Sequence, residues 1–198
     1  MTDAKRTPSP RRGELLDAAY RYALDHGLAD LSLRPLAAAI GSSPRVLLFL
    51  FGSKDGLVRE LLAKARGDEL ALLVTANDKS LGRNAGNSFE SAIRVTWRWL
   101  ADDTQRPLLM LWCEAYARSL VEPGGAWADF ARRTVDDWLT VLADAQTPTR
   151  RRTRAGLAER TLTLAVLRGA LLDLLATGDV ARTTAAVDQH LRTIRQEA

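Results

Sequence analysis

The sequence predicts an all-α protein of about nine helices joined by short turns, with no sheet. Three observations lead to this prediction. Apolar residues recur at three- and four-residue steps through most of the 198 residues, which is the spacing of one buried helical face. Serine, asparagine and proline precede these segments and glycine follows them, as helix caps require. Alternating apolar and polar runs, the signal of half-buried strands, are scarce.

The first three predicted helices are short and closely spaced. The first covers residues 11–26 and follows a polar, proline-bearing arm, residues 1–10, which is predicted to be disordered. Ser32 caps the second helix, which ends at Gly41. Ser43 caps the third and is followed by a proline at the first helical position. Two helices separated only by a glycine-bearing turn predict a helix-turn-helix.

The remaining predicted helices are longer. Ser53 caps a fourth helix that reaches about Val74, and a polar, glycine-rich interval follows over residues 77–87. Asn87 and Glu90 resemble a capping box at the start of a fifth helix. Further helices are predicted after Pro107, from Trp127 to Ala145, and over residues 155–176 and 180–196, with residues 146–154 as a linker.

The third helix has an inward and an outward face. The period places four residues inward, against the first two helices: Ile40, Leu47, Phe51 and Leu57. The outward face presents a mixed set: Ser43, Pro44, Arg45, Val46 and Phe49. Arginine can donate two hydrogen bonds to guanine, and valine or phenylalanine can contact thymine methyl groups. This face therefore suits the major groove of double-stranded DNA.

Two helix starts flank that face. Ser32 and Arg34 begin the second helix, and Lys54 begins the fourth. Helix N-termini offer free N–H groups and a positive dipole end to phosphate, and neighbouring cations add salt-dependent attraction. We expect these residues to contact the DNA backbone.

Residues 11–57 resemble the DNA-binding domain of the tetracycline-repressor (TetR) family. The matching pieces are LLDAA in the first helix, Ser32-Leu33-Arg34, Ala37 to Gly41, and the run FGSKDGL at residues 51–57. The resemblance implies groove contacts by Ser43, Pro44, Arg45 and Phe49, and phosphate contacts by Ser32, Arg34 and Lys54. Three positions depart from the family pattern: Leu48 and Leu50 replace the usual tyrosines, and Ala23 replaces an aromatic residue.

The resemblance also implies a function and a domain division. It implies a ligand-responsive transcriptional regulator, typically a repressor, that binds a palindromic operator as a homodimer. The DNA-binding domain would be residues 11–57, and residues 58–198 would form a helical domain for ligand sensing and dimerisation. Whether the ligand releases or promotes DNA binding stays open.

Aromatic residues are concentrated in the middle of the chain, where all five tryptophans lie between residues 97 and 138. Such helices can enclose a pocket for a small, largely apolar or aromatic ligand. The candidate lining residues are Phe89, Ile93, Trp97, Met110, Trp112, Tyr116, Trp127, Phe130 and Trp138. The candidate polar contacts are Arg94, Arg98, Glu114 and Arg118. Ordinary core packing is the alternative for each of them.

The last two predicted helices carry broad apolar faces. In the family such helices pair with their symmetry mates as a four-helix bundle. The candidate dimerisation residues are Leu164, Arg168, Leu171, Leu172, Leu175, Val187, Leu191 and Ile194. Burial of both faces within one chain is the alternative.

Other functions have weaker support. The formal net charge of +4 is too small to identify a partner, and the single cysteine, Cys113, indicates no disulfide. The sequence shows neither a membrane span nor a signal peptide, so a cytoplasmic protein is expected. His26 and His190 lack metal-ligand spacing, and no catalytic constellation is found, so no enzyme activity, cofactor or metal is predicted. A constitutive DNA-binding protein without a sensor pocket and, less favoured, an all-helical enzyme remain as alternatives.

Overall fold

A computed structural model of the chain describes residues 10–28, 30–81 and 89–197. Within these ranges the chain forms 10 α-helices and no strands, so the all-α prediction is confirmed. The helices are α1 (Pro10–His26), α2 (Leu33–Ala39), α3 (Pro44–Phe51), α4 (Lys54–Leu81), α5 (Phe89–Leu100), α6 (Arg106–Val121), α7 (Phe130–Asp144), α8 (Pro148–Arg151), α9 (Arg154–Thr177) and α10 (Val180–Glu197). Short 3₁₀ turns cover Asp103–Gln105 and Gly125–Trp127.

The helices group into two compact units. Unit 1 takes its described residues from Met1–Gly67 and Met110–Ala131, and unit 2 from Asp68–Leu109 and Arg132–Ala198. Helix α4 contributes to both units, and α6 belongs largely with the first three helices. This grouping is based on contacts, whereas the division at residues 57 and 58 is a functional prediction and stays one.

The core of unit 1 contains the inward faces of α1 to α4. Leu47, Phe51 and Leu57 are buried as their spacing predicts, and they share the core with Leu15, Ala19 and Leu36. Ile40 is half-buried, because it caps the C-terminus of α2 rather than lying within the helix.

Helix α6 is joined to the end of α1 by a carboxylate. Gly27 ends α1 with φ of +75°, and the N–H of Leu28 donates to Glu114 Oε2 at 2.9 Å. A Cβ on Gly27 would lie 3.0 Å from the same oxygen, so the close approach requires glycine. The Ser119 hydroxyl oxygen accepts from the Ala131 N–H at 3.1 Å, which fixes the turn after α6.

Unit 2 is organised around α9, which packs on α10, while α5 packs on both helices. Trp97 of α5 donates its indole N–H to Thr184 Oγ1 of α10 at 2.9 Å. Leu164, Leu167 and Leu171 of α9 are buried, together with Val187 and Leu191 of α10. These side chains form the core of the unit.

The structure differs from the predicted boundaries at three places. Helix α4 continues to Leu81 rather than ending near Val74, because no glycine or proline occurs between Val74 and Gly82. The predicted linker 146–154 contains α8, whose start is capped by the Thr147 hydroxyl. Helix α7 begins at Phe130 rather than Trp127, because Asp129 adopts a positive φ of 63°.

Two other predictions fall on parts of the chain that the structure does not describe. The predicted disordered arm lies outside the described residues apart from Pro10, which begins α1. Asn87, the predicted cap of α5, also lies outside them. Of the described helices, none is by itself long and apolar enough to cross a membrane; α2 and α3 meet that measure only as a pair bent by 102°.

Candidate nucleic-acid interface

A left-handed glycine forms the turn between α2 and α3. Gly41 has φ of +64°, a conformation that side-chain-bearing residues rarely adopt. Its N–H donates to the Ala38 carbonyl at 3.3 Å. The Ser42 N–H donates to the Ala37 carbonyl at 2.8 Å, which completes a Schellman motif. The bend of 102° between the two helices is that of a helix-turn-helix, so this prediction is confirmed.

Helix α3 begins at a side-chain cap and presents one exposed face. The Ser43 hydroxyl oxygen accepts from the Val46 N–H at 3.3 Å, and Pro44 occupies the first turn. Leu47 and Phe51 anchor the other face in the core. The predicted groove-facing residues are all exposed on the outward face: Ser43, Pro44, Arg45, Val46 and Phe49.

Cations stand near the starts of all three helices around this face. Arg34, Arg45 and Lys54 are exposed, and none of them forms an ion pair with another described residue. Ser32 precedes α2 and makes no capping hydrogen bond of its own. We call these eight residues the α3 surface: Ser32, Arg34, Ser43, Pro44, Arg45, Val46, Phe49 and Lys54.

The junction between α3 and α4 depends on a second glycine. Ser53 caps α4 by accepting the Gly56 N–H at 2.9 Å. An ideal Cβ on Gly56 would lie 2.1 Å from the Phe51 carbonyl oxygen, so α4 starts against the last residue of α3 with no room for a side chain. Gly56 lies within the run FGSKDGL, and its role at this junction was not predicted.

Arg12 of α1 was also missed, although it positions the end of α3. Its guanidinium pairs with Glu60 of α4 and lies 5.1 Å from the centre of the Phe51 ring. Its Nε donates to the Leu50 carbonyl at 3.4 Å. A signal was present in the sequence, because Arg12 lies three residues before Leu15 and so continues the buried stripe of α1.

Known proteins match the same segment. A family model described as bacterial regulatory proteins of the tetR family matches residues 15–61, a span that contains the whole helix-turn-helix and the α3 surface. The DNA-binding segment of the chain, residues 15–61, is therefore of the tetR-family type.

Individual relatives are similar to the chain beyond this segment. The HTH-type transcriptional regulator BetI of Rhizobium meliloti (strain 1021) is 30% identical over 113 residues, 55% of this chain and 52% of BetI, so the match spans about half of that relative. A TetR-family structure from Streptomyces coelicolor A3 is 27% identical, with a TM-score of 0.66 over 92% of this chain and 97% of its own. The multidrug binding protein EbrR complexed with imidazole is 25% identical, with a TM-score of 0.65 over 96% of each chain. EbrR complexed with proflavin is 27% identical, with a TM-score of 0.62 over 92% of this chain and 98% of its own.

The chain lacks two phenols on α3. Leu48 is 43% exposed and Leu50 is half-buried, at the positions where the resemblance leads one to expect tyrosines. Neither side chain can donate a hydrogen bond to phosphate. Ala23 is fully buried in α1, where it packs as a small core residue.

The predicted ligand residues are divided between the two units. Unit 1 holds Met110, Trp112, Tyr116, Trp127 and Phe130. Unit 2 holds Phe89, Ile93, Trp97 and Trp138. Of the nine, Met110 is exposed, Phe89 and Tyr116 are half-buried and the others are buried. The rings of Trp112 and Tyr116 lie 5.0 Å apart on one face of α6.

Polar groups accompany these aromatics within each unit. In unit 2 the Trp138 indole N–H donates to the buried carboxylate of Glu69 at 3.0 Å, a contact that was not predicted. In unit 1 Arg118 lies 5.8 Å from the centre of the Trp127 ring. A groove of about 260 Å³ between α5 and α10 is lined by Arg94, Trp97, Arg98, Val187, Asp188 and Leu191.

The predicted dimerisation residues fall into three groups by their exposure. Leu164, Leu171, Val187 and Leu191 are buried within unit 2 by the packing of α9 on α10. Arg168, Leu175 and Ile194 are half-buried. Leu172 is 53% exposed, and Leu162, which the prediction omitted, is 57% exposed on the same helix.

An ion network ties α5 to α10. Glu90 pairs with Arg195 and, at 3.1 Å, with Arg94, which also reaches Asp188 at 2.7 Å. The hydrogen bond from Arg195, supported by that from Arg94, holds the pKa of Glu90 below its ordinary value, although burial acts in the opposite direction. Within the described part of the chain, no group of three or more His, Cys, Asp or Glu residues is placed to hold a metal ion.

Proposed function

We propose that this chain is a transcriptional regulator that binds palindromic operator DNA as a homodimer and responds to a small ligand. The α3 surface supports the DNA-binding part most directly. It presents an exposed recognition helix after a 102° helix-turn-helix, with Arg34, Arg45 and Lys54 unpaired among the described residues. Such a regulator acts in the cytoplasm, where bacterial DNA lies. Repression follows when the bound dimer blocks access to a promoter.

The first experiment measures DNA binding across a salt series. The probes are DNA flanking the gene for this chain and a random duplex pool. We expect tight, sequence-selective binding that weakens steeply with salt, because bound cations release counterions from phosphate. The double variant Arg45→Ala, Lys54→Ala should lose selectivity and show a salt slope smaller by about 1 for each bound subunit.

A matched control distinguishes the effect of where the two positive charges lie from the effect of lowering the net charge. The double variant Arg152→Ala, Arg154→Ala removes the same charge from two exposed residues that lie in unit 2. It should bind DNA like the wild type. Equal loss in both double variants, or failure to select any site from the pool, would contradict DNA recognition by the α3 surface.

The homodimer is proposed to form through the exposed apolar face of α9. Leu162 and Leu172 expose 57% and 53% of their surface, and Gly169 between them leaves open space for a close helix approach. Two-fold pairing would present two copies of α3 to half-sites about 34–36 Å apart. Analytical ultracentrifugation should find a dimer for the wild type and a monomer for Leu172→Glu. If Leu172→Glu stays dimeric, the dimer interface does not lie on this face of α9.

Ligand response is proposed to act through linkage. The two EbrR structures were obtained with imidazole and with proflavin, and the ring pair of Trp112 and Tyr116 on α6 suits a flat apolar ligand. The dimer is proposed to have two states, one whose subunit spacing fits the operator and one whose spacing does not. A ligand that binds the second state more tightly must lower operator affinity, at most by the ratio of its affinities for the two states. Proflavin serves as a probe: quenching of tryptophan fluorescence measures its binding, and operator affinity is then measured with proflavin saturating. Unchanged operator affinity with every bound compound tested would favour a constitutive DNA-binding protein.

A further inference from the structure

Helix α3 exposes an unusual amount of apolar surface. Phe49 is 82% exposed, and Val46 and Leu48 are 39% and 43% exposed. Three of the eight residues of this helix therefore present large apolar side chains to solvent. A contiguous exposed apolar patch beside cations marks a surface that is covered when a partner binds.

Hydrogen-bond donors are few on the same face. Ser43, whose oxygen accepts from the Val46 N–H as the helix cap, keeps a single O–H donor, and leucines replace phenols at residues 48 and 50. Arg45 is therefore the main side-chain donor that α3 can direct at a base edge. Two good hydrogen bonds from arginine select guanine. The remainder of the outward face must recognise bases by apolar contact.

The major groove displays one apolar feature, the methyl group on C5 of thymine. The same methyl is present on 5-methylcytosine and absent from uracil and cytosine. We infer that Phe49, assisted by Val46, makes a C5-methyl pyrimidine a preferred feature of each operator half-site. This inference rests on the proposed DNA-binding function and names the base chemistry that the α3 surface reads.

Helix geometry limits where the methyl group lies relative to guanine. Arg45 and Phe49 are four residues apart, so their Cβ atoms are neighbours on one face at about 5–6 Å. Successive bases on a strand are about 3.4 Å apart along the helix axis. The guanine read by Arg45 and the methyl pyrimidine read by Phe49 therefore lie within about two base steps of each other.

The experiment begins with the site selected from the random duplex pool. Each thymine in that site is replaced in turn by deoxyuridine, which deletes one methyl group and keeps every hydrogen bond. We expect one position in each half-site at which this replacement weakens wild-type binding about fourfold, the effect of one buried methyl-sized group. At the same position, a 5-methylcytosine pair should bind about fourfold more tightly than a cytosine pair.

Variants assign the methyl contact to Phe49. Phe49→Ala should bind the thymine and deoxyuridine sites equally, and its fold should be intact because the side chain is so exposed. Phe49→Leu should keep part of the discrimination. Arg45→Ala should weaken binding to both sites while preserving their ratio.

Three outcomes overturn the inference in different ways. Binding that is indifferent to deoxyuridine at every position refutes methyl recognition and leaves the proposed function standing. Discrimination that persists in Phe49→Ala refutes the role of Phe49. A pool that yields no site refutes the proposed function and the inference together.

Discussion

Replacing Gly56 with alanine is expected to destabilise unit 1 and to shift the end of α3. A Cβ at this position would lie 2.1 Å from the Phe51 carbonyl oxygen, and ordinary contact begins at 3.4 Å. The first turn of α4 and that carbonyl must therefore separate by the difference, about 1.3 Å. The obstacle is backbone, which cannot rotate away as a flexible side chain can. Overpacking of this kind costs about 1–3 kcal/mol.

The same substitution at Gly67 is the matched control. Gly67 also lies in α4, and its Cβ would meet nothing within 4 Å. Alanine is better than glycine in a helix interior by about 1 kcal/mol. We therefore expect Gly67→Ala to raise the free energy of unfolding by about 1 kcal/mol. Gly56→Ala should lower it by up to about 2 kcal/mol once the propensity gain is subtracted.

Urea unfolding followed by far-ultraviolet circular dichroism measures both variants. Operator binding by the same proteins then shows whether a shift at the end of α3 reaches its outward face. We expect weaker binding for Gly56→Ala and wild-type binding for Gly67→Ala. If Gly56→Ala unfolds at the same urea concentration as Gly67→Ala, the argument that the Phe51 carbonyl excludes a side chain is refuted.

Three further predictions concern charged residues. Arg12→Ala should lower the free energy of unfolding by about 1–2 kcal/mol, because it removes the Glu60 pair and the Phe51 ring contact. Arg12→Lys should recover only part of the lost free energy of unfolding. Full recovery in urea unfolding would mean that a positive charge at this position is enough to stabilise the end of α3. Glu90 has a lowered pKa, so its folded-state pairing stabilises the protein above its ordinary pKa of 4.5 and is lost as pH falls below that value. The urea midpoint of the wild type should therefore approach that of Glu90→Gln between about pH 6 and about pH 3, and a constant gap would contradict this. Glu114→Ala should cost about 1–3 kcal/mol, because the Leu28 N–H loses its acceptor, whereas Glu114→Gln, which keeps an acceptor oxygen, should cost less in the same assay.

Local capping chemistry made most helix boundaries predictable. The start of α3 is marked by Ser43 followed by proline, because the serine oxygen accepts a backbone N–H of the first turn. The ends of α3 and α9 are marked by Gly52 and Gly178, where a positive φ terminates the helix. The same kind of signal at Thr147 was overlooked when α8 was taken for a linker. The outward residues of α3 were predictable for a related reason, since one buried stripe on a short helix leaves a single face for solvent.

Side-chain roles that depend on distant partners were harder to predict. Arg12 is separated by 48 residues from Glu60, and no local rule connects them. Helix α9 shows a different limit. Its apolar residues are distributed on more than one face, so periodicity alone does not say that Leu164 and Leu171 turn into the core while Leu162 and Leu172 turn to solvent. The packing of α10 decides between the faces.

The hydrogen bond from Leu28 to Glu114 bears on the construction of hybrid regulators. Transplanting residues 11–57 onto a foreign sensor would separate the end of α1 from the α6 carboxylate that accepts its backbone N–H at 2.9 Å. The recipient would have to supply an acidic or amide side chain at the equivalent turn of its own sixth helix, because the transplanted segment already carries Gly27. Compatibility between donor and recipient can therefore be screened at that one position before any chimaera is made.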